Sequence, residues 1–222
     1  KKLKIAIVKE YMGEAVQPEV RDAVRAQAET LKALGHTVEE VSLPTLPLSL
    51  AIYYIVCPAE VSSNLSRYDG IKFGESATET QSLQDLYGQT REIFNAENKR
   101  RILIGTYVLS SGYIDAYYHK AQTVRTKLIN EFAKAFTEYD VLIGPVAPTT
   151  AFKIGENASD PLQMYLADIL SVAANLVGVP GISVPAGKDK NGLPVGMQLL
   201  AAQRNDALLF ALGHQLEGAN RG

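Results

Sequence analysis

The stretch Leu3-Lys4-Ile5-Ala6-Ile7-Val8, together with the apolar series Val20, Val24, Ala28, Leu31 and Leu34 that follows Pro18, decides the fold. The first is a short run rich in β-branched residues and reads as a buried strand. The second advances by steps of 4, 4, 3 and 3 residues, the stripe of an amphipathic helix. Pro18 suits the first turn of that helix, and Gly35 suits the position just past its end. Thr37 to Leu43 reads as a second strand, with Val41 and Leu43 alternating and Pro44 stopping it. A strand, a helix and a strand in this order predict two parallel strands of one sheet.

Outward from this unit, residues 48 to 136 read as mainly helical. Val124, Leu128, Phe132 and Phe136 recur at steps of four, and Arg101, Ile104, Gly105 and Val108 share one helical face. Asp140 to Gly144 is another buried strand, with a rigid loop from Pro145 to Thr150 after it. Pro161 opens a helix carrying Leu162, Tyr165, Leu166 and Ile169. Ile182 to Pro185 and Val195 to Leu200 read as an antiparallel pair around a turn whose strongest signal is Asn191-Gly192. A final helix runs from Asp206 to Leu216. The expected class is α/β: a mixed sheet, parallel at the front and with an antiparallel hairpin at the back, covered by helices.

Composition excludes several functions. Of 222 residues, 46% are apolar and 21% charged, unlike a disordered tail, a coiled coil or a collagen-like chain. Lys plus Arg number 22 against 24 Asp plus Glu, so no strongly basic surface is available to neutralise nucleic-acid phosphates. The single cysteine, Cys57, excludes an intrachain disulfide and a multi-cysteine zinc site. A reducing, cytoplasmic location is the simplest expectation. Ile169 to Gly187 is uncharged and long enough to span a bilayer, but Gly178, Pro180, Gly181, Pro185 and Gly187 would break a spanning helix. It reads as a helix end, a tight loop and a buried strand, and no membrane partner is expected.

The three histidines, His36, His119 and His214, are far apart in sequence, lack metal-ligand spacing and read as surface or helix-end residues. Cys57 reads as a buried structural thiol. Neither a phosphate-binding Gly-x-x-x-x-Gly-Lys-Ser/Thr loop nor a Gly-x-Ser-x-Gly elbow occurs. The serine pairs Ser62-Ser63 and Ser110-Ser111 read as caps or turns. Arg101 lies on the face of Ile104 and Val108, where a guanidinium needs an anionic partner. Arg100, about 100° around the helix, reads as the solvated neighbour. Asp168 flanks Tyr165 and Ile169 and immediately precedes the uncharged stretch. From spacing alone, Arg101 and Asp168 read as structural ion pairs or surface charges sooner than as a binding pair, because isolated helix-face charges are usually solvated.

Several segments together carry a resemblance. They are Ser63-Asn-Leu-Ser-Arg-Tyr-Asp-Gly70, Lys99-Arg-Arg-Ile102, Leu109-Ser-Ser-Gly-Tyr113, Asp115-Ala-Tyr-Tyr118 and Lys120-Ala-Gln-Thr-Val-Arg125. Further along come Pro145-Val-Ala-Pro-Thr-Thr-Ala-Phe152, Asp160-Pro161, Ala174-Asn-Leu-Val-Gly-Val-Pro-Gly-Ile-Ser-Val-Pro185 and Gly192-Leu-Pro-Val-Gly-Met-Gln-Leu199. In order and spacing they resemble the C-terminal half of the amidase signature family, and within it the glutaminase (A) subunits of the glutamyl-tRNA(Gln)/aspartyl-tRNA(Asn) amidotransferases. The likeness runs from about Lys4 to the end and is weakest from Ala201 onward.

The resemblance implies that residues 1–222 are the C-terminal part of one amidase-signature domain. The family's Ser–cis-Ser–Lys triad would lie in a preceding half, absent from these residues, so that this chain alone is inactive. It implies a substrate-binding role: Arg101 for the α-carboxylate of glutamine, Asp168 for its α-ammonium, and Tyr53, in preference to Tyr54, as a third contact. The implied partners are B and C subunits, with tRNA held mainly by B. No cofactor is expected on this chain, since ATP and Mg would be used by the partner subunit. Two alternatives stand beside this reading: a stand-alone amide hydrolase of the same family, and a non-catalytic scaffold with the same fold.

Overall fold

The structure, a computed structural model, describes residues 2–156 and 161–221. The chain forms two compact units, residues 1–50 with 125–222, and residues 51–124.

The larger unit is built on a five-stranded sheet of order β2-β1-β3-β5-β4. β1 (Lys4–Val8) pairs in parallel with β2 (Thr37–Val41) and with β3 (Val141–Pro145), while β5 (Pro194–Ala201) is antiparallel to both β3 and β4 (Gly181–Lys188). The sheet is mixed as expected, parallel in front with the hairpin behind. β3 is buried at all five positions, so both faces of the sheet are covered. Helices α1 (Pro18–Ala33) and α8 (Asp206–Arg221) pack on it.

Val20, Val24, Ala28 and Leu31 of α1 are buried, but Leu34 is 43% exposed. The helix ends at that residue: Gly35 at φ +90° donates to Lys32 and His36 donates to Leu31, turning the chain before Leu34 can face the sheet. β2 is shorter than the sequence suggests. Leu43 is buried, but its backbone N–H donates to the Glu10 carboxylate at 2.9 Å and so leaves the ladder. β1 and β3 start in register because Asp140 takes the Lys4 N–H on its side chain at 2.8 Å and returns its own N–H to the Lys4 carbonyl at 2.7 Å. His36 stands at the helix end but is not a surface residue. It is 7% exposed, accepts from the Leu3 N–H on Nδ1 and meets Gln215 through Nε2. His119 and His214 are exposed.

The smaller unit is helical. Helix α2 (Ser49–Asn64) enters it from the first unit, followed by α3 (Leu83–Glu92), α4 (Ala96–Leu109) and a π-helical turn, Asp115–His119, that runs into α5 (Lys120–Glu138) and back to the sheet unit. The helical stretch Leu46–Arg67 is long and apolar enough to cross a membrane by length and composition alone, although it contains Pro58. Cys57 is half-buried rather than fully buried. Ser62 and Ser110 donate to the carbonyls three residues back, the local bonding expected of them.

Candidate functional site

In the helical unit, α2 and α4 bring Tyr53 and Arg101 together. Arg101 Nη1 lies 3.4 Å from the Tyr53 hydroxyl, and the Arg101 guanidinium carbon sits 6.0 Å from the Tyr54 ring centre. Tyr53 and Tyr54 meet edge to face at 5.1 Å. The Arg101 side chain is 24% exposed, in keeping with its place on the apolar face, and it has an anionic partner from its own helix: Nε donates to Glu97 at 2.9 Å. Arg100 shares that carboxylate, so it is more exposed but paired rather than simply solvated. Burial works against the Arg101 charge, but the hydrogen bonds it donates to Glu97 and Tyr53 outweigh it, and the guanidinium titrates above its ordinary range. Burial pushes the Tyr53 phenol up, and Cys57 adds to this; Arg101 opposes both.

The partner that Arg101 needs is thus local. Glu97 stands four residues before it in the sequence, the spacing of a helical ion pair, and that spacing is the signal that identifies it.

Asp168 belongs to the sheet unit. It is itself exposed, in the turn between α6 (Pro161–Leu166) and α7 (Val172–Val177), so Ile169 falls beyond the helix rather than on it. Its backbone shapes the turn: Asp168 N–H donates to Tyr165, and its carbonyl accepts from Ser171 and Val172. Among the described residues its carboxylate has no hydrogen-bond or ion-pair partner. Asp160 and the side chain of Leu162, both noted in the sequence, lie outside what the structure describes.

The turn adjoins a cleft of about 290 Å³ at the C-terminal end of β3, lined by Val146, Ala147, Thr149, Ala167, Ser183 and Gly196 among others. In a sheet with parallel strands, ligands bind outside the carboxyl ends of strands, where connections leave in opposite directions. Here the loops after β1 and β3 are joined there: Gln17 N–H donates to the Pro148 carbonyl at 2.9 Å. A Cβ on Gly144 would fall 2.7–3.0 Å from the Tyr11 side chain, so glycine lets the chain after β1 press onto β3. Gln198, which nothing in the sequence singles out, donates from Nε2 to both Pro145 and Leu170 at 2.8 Å each.

The helical unit has a larger groove, about 530 Å³, lined by Ser62, Leu65, Arg91, Phe94, Lys99, Ile102 and neighbours. Neither Tyr53 nor Arg101 lines it, so its size does not make it the site of the paired charges. Among the described residues, no group of three or more His, Cys, Asp and Glu side chains is placed to hold a metal ion.

Comparison with known proteins gives consistent results. Residues 1–210 match the amidase family. The chain is 51% identical over 218 residues to the A subunit of the glutamyl-tRNA(Gln) amidotransferase of Thermosynechococcus vestitus, covering 98% of this chain and 45% of the relative. The corresponding protein of Staphylococcus epidermidis is likewise 51% identical over 98% of this chain. The crystal structure of the corresponding protein from Thermotoga maritima aligns with a TM-score of 0.69 at 36% identity, covering 94% of this chain and 40% of that one. An amidase crystal structure shares the fold, with a TM-score of 0.74 at 24% identity. The chain thus spans less than half the length of the curated relatives it matches.

Proposed function

The chain belongs to the amidase family, and on that premise we propose that it is the glutamine-binding part of the A subunit of a glutamyl-tRNA(Gln) amidotransferase. The observation that carries this reading is the 51% identity to such subunits over 98% of the chain. In the proposal the enzyme releases ammonia from glutamine, and a B subunit uses that ammonia to amidate Glu-tRNA(Gln) or Asp-tRNA(Asn). A small C subunit joins the pair. ATP and Mg act on the B subunit, which also holds most of the tRNA, and the assembly works in the cytoplasm.

Glutamine carries a carboxylate and an ammonium on its α-carbon, so selectivity for it needs a cation and an anion. Arg101 suits the carboxylate, because its planar fork can donate two parallel hydrogen bonds. Its pairing through Nε to Glu97 turns the Nη edge toward Tyr53, which supports Tyr53 over Tyr54 as the third contact. Asp168 suits the ammonium: its carboxylate is exposed and has no partner among the described residues.

Bond breaking is assigned to a Ser–cis-Ser–Lys triad outside residues 1–222. The test is ammonia release from glutamine by the purified 222-residue chain, alone and with the triad-bearing polypeptide supplied in trans. No turnover alone and turnover on addition is the expected result. Clear turnover by this chain alone would overturn the assignment, because it would require a nucleophile among these residues.

A further inference from the structure

We infer that Gln198 is the positioning residue for Asp168, its buried carboxamide tying the turn that carries Asp168 to the end of β3. The inference rests on the proposed reading of Asp168 as the ammonium-binding group.

Gln198 is 6% exposed in β5 and is flanked by the fully buried Met197 and Leu199. Its backbone is fixed opposite Gly144 on one side and Ser183 on the other. From that anchored position, one carboxamide nitrogen spends its two hydrogens on two carbonyls, Pro145 at the last position of β3 and Leu170 in the turn, both at 2.8 Å. A carboxamide in an apolar core is costly unless its donors are met, and an apolar residue would fill the same space without that cost. What the amide adds is a bond between two segments that the sheet ladder does not join.

Leu170 is two residues past Asp168. The bonds inside the turn, from Ser171 and Val172 to the Asp168 carbonyl at 3.0 and 3.3 Å, set its shape. The bond from Gln198 sets where that shape sits on the sheet. Ala167, on the other side of Asp168, lines the cleft at the end of β3. Asp168 is therefore held between a residue that faces the cleft and a residue bonded to Gln198. Gln198 touches no substrate in this assignment and acts only through the turn.

The experiment uses the assembled amidotransferase and measures kcat and KM for glutamine and for butyramide, which lacks both α-charges. The variants are Gln198→Leu, Gln198→Asn, Asp168→Asn and the Gln198→Leu/Asp168→Asn pair. Gln198→Leu is expected to raise KM for glutamine about ten-fold, with kcat little changed and butyramide spared. In the Asp168→Asn background it should add less than about two-fold, since the group it positions is gone. Gln198→Asn keeps an amide but is one methylene too short to span both carbonyls, and it should act in the same direction, so it decides the matter if the leucine variant does not fold. In the same assembled enzyme, either variant should speed hydrogen exchange at the Ser171 and Val172 amides.

If Gln198 variants impair both amides alike, or add in full to Asp168→Asn, Gln198 is a core residue and the inference falls alone. If Asp168→Asn itself leaves the ratio of glutamine to butyramide unchanged, the ammonium reading falls and takes the inference with it.

Discussion

Gly105 of α4 lies against the backbone of Pro58 in α2: a Cβ there would overlap the Pro58 carbonyl oxygen, 2.6 Å from its carbon and 2.7 Å from Ser62 Cβ. The two helices therefore cross backbone to backbone. Arg101 is one turn before the crossing on α4, and Tyr53 is five residues before it on α2, so their 3.4 Å approach depends on it. Gly105→Ala forces the helices apart or off their rotamers, an overpacking cost of about 1–3 kcal/mol. Gly88 in α3 is the control: nothing lies within 4 Å of a Cβ there, and alanine should stabilise by about 0.5–1 kcal/mol through helix propensity. Urea midpoints of the two variants should move in opposite directions. Movement in the same direction would mean the crossing is looser than described.

Asp189 holds the β4–β5 turn. Its carboxylate accepts from the Asn191 and Leu193 N–H groups and from the Thr150 hydroxyl, all at 2.8 Å. Burial opposes the charge, but these hydrogen bonds outweigh it and hold the carboxyl below its ordinary pKa. A lowered folded-state pKa gives stability that is present above the unfolded value, about 3.9, and is lost as the pH falls through the folded one. Denaturation midpoints should thus decline below about pH 4 in part through Asp189. Asp189→Asn keeps an acceptor for the two N–H groups and should flatten that part of the decline. Asp189→Ala removes the acceptor and should destabilise at every pH. An acid decline identical in the wild type and Asp189→Asn would show that Asp189 does not contribute to it.

The sequence revealed the parts of the fold that follow from periodicity. The β-branched run at Ile5 to Val8 and the stripe from Val20 to Leu31 have one reading each, and Asn191-Gly192 marks the hairpin. Where the sheet unit closes on itself, residue types carry less. Thr37 to Leu43 looks like one strand because Leu43 is apolar and in phase, and only the distant Glu10 carboxylate removes it from the ladder. His36 looks like a helix-end polar residue until Leu3 and Gln215 bury it. Arg101 and Asp168 stand out as charges beside apolar stripes, but their place on those stripes says nothing of what each meets in space. Gln198 falls within the quoted Gly192–Leu199 segment, but nothing there marks it as inward, because a glutamine between apolar strand residues is as readily an outward-facing one.

Tyr107, Tyr113 and Tyr117 form an exposed cluster around the end of α4, with ring centres 4.4 to 6.2 Å apart. A hydrogen bond with Tyr113, then partial desolvation, pushes the Tyr107 phenol up to about 12. A raised folded-state value gives stability that is complete below the unfolded value, about 10, and is lost as the pH rises through the folded one. In an alkaline absorbance titration, Tyr107 should ionise late along with Tyr11, Tyr53 and Tyr139, which burial also pushes up, and Tyr107→Phe should remove one phenol from that late phase. Tyr113→Phe should move the Tyr107 ionisation toward the ordinary range instead. An unchanged titration in both variants would show that the cluster does not couple these phenols.

The structure sharpens the test of Arg101 and Asp168, because it gives Arg101 a partner in Glu97 and leaves Asp168 without one among the described residues. If Arg101 serves only that ion pair, Arg101→Ala and Glu97→Ala should lower stability alike and reduce activity on every amide. If Arg101 binds the α-carboxylate, its loss should fall on substrates that carry one. The comparison needs three amides: glutamine, 4-aminobutanamide, which lacks the α-carboxylate, and glutaramate, which lacks the α-ammonium. Each hydrogen bond to a charged group is worth about 1.5–3 kcal/mol, or roughly ten- to a hundred-fold in kcat/KM. Arg101→Ala should therefore lose about that factor on glutamine and on glutaramate while sparing 4-aminobutanamide. Asp168→Asn should lose it on glutamine and on 4-aminobutanamide while sparing glutaramate, and it should barely move the melting temperature, since the carboxylate is exposed. The proposed roles give neither residue a part in breaking the side-chain amide, so neither substitution should abolish turnover of the spared substrate. Equal losses on all three amides, with a large fall in melting temperature, would make both residues structural and end their assignment to the glutamine site.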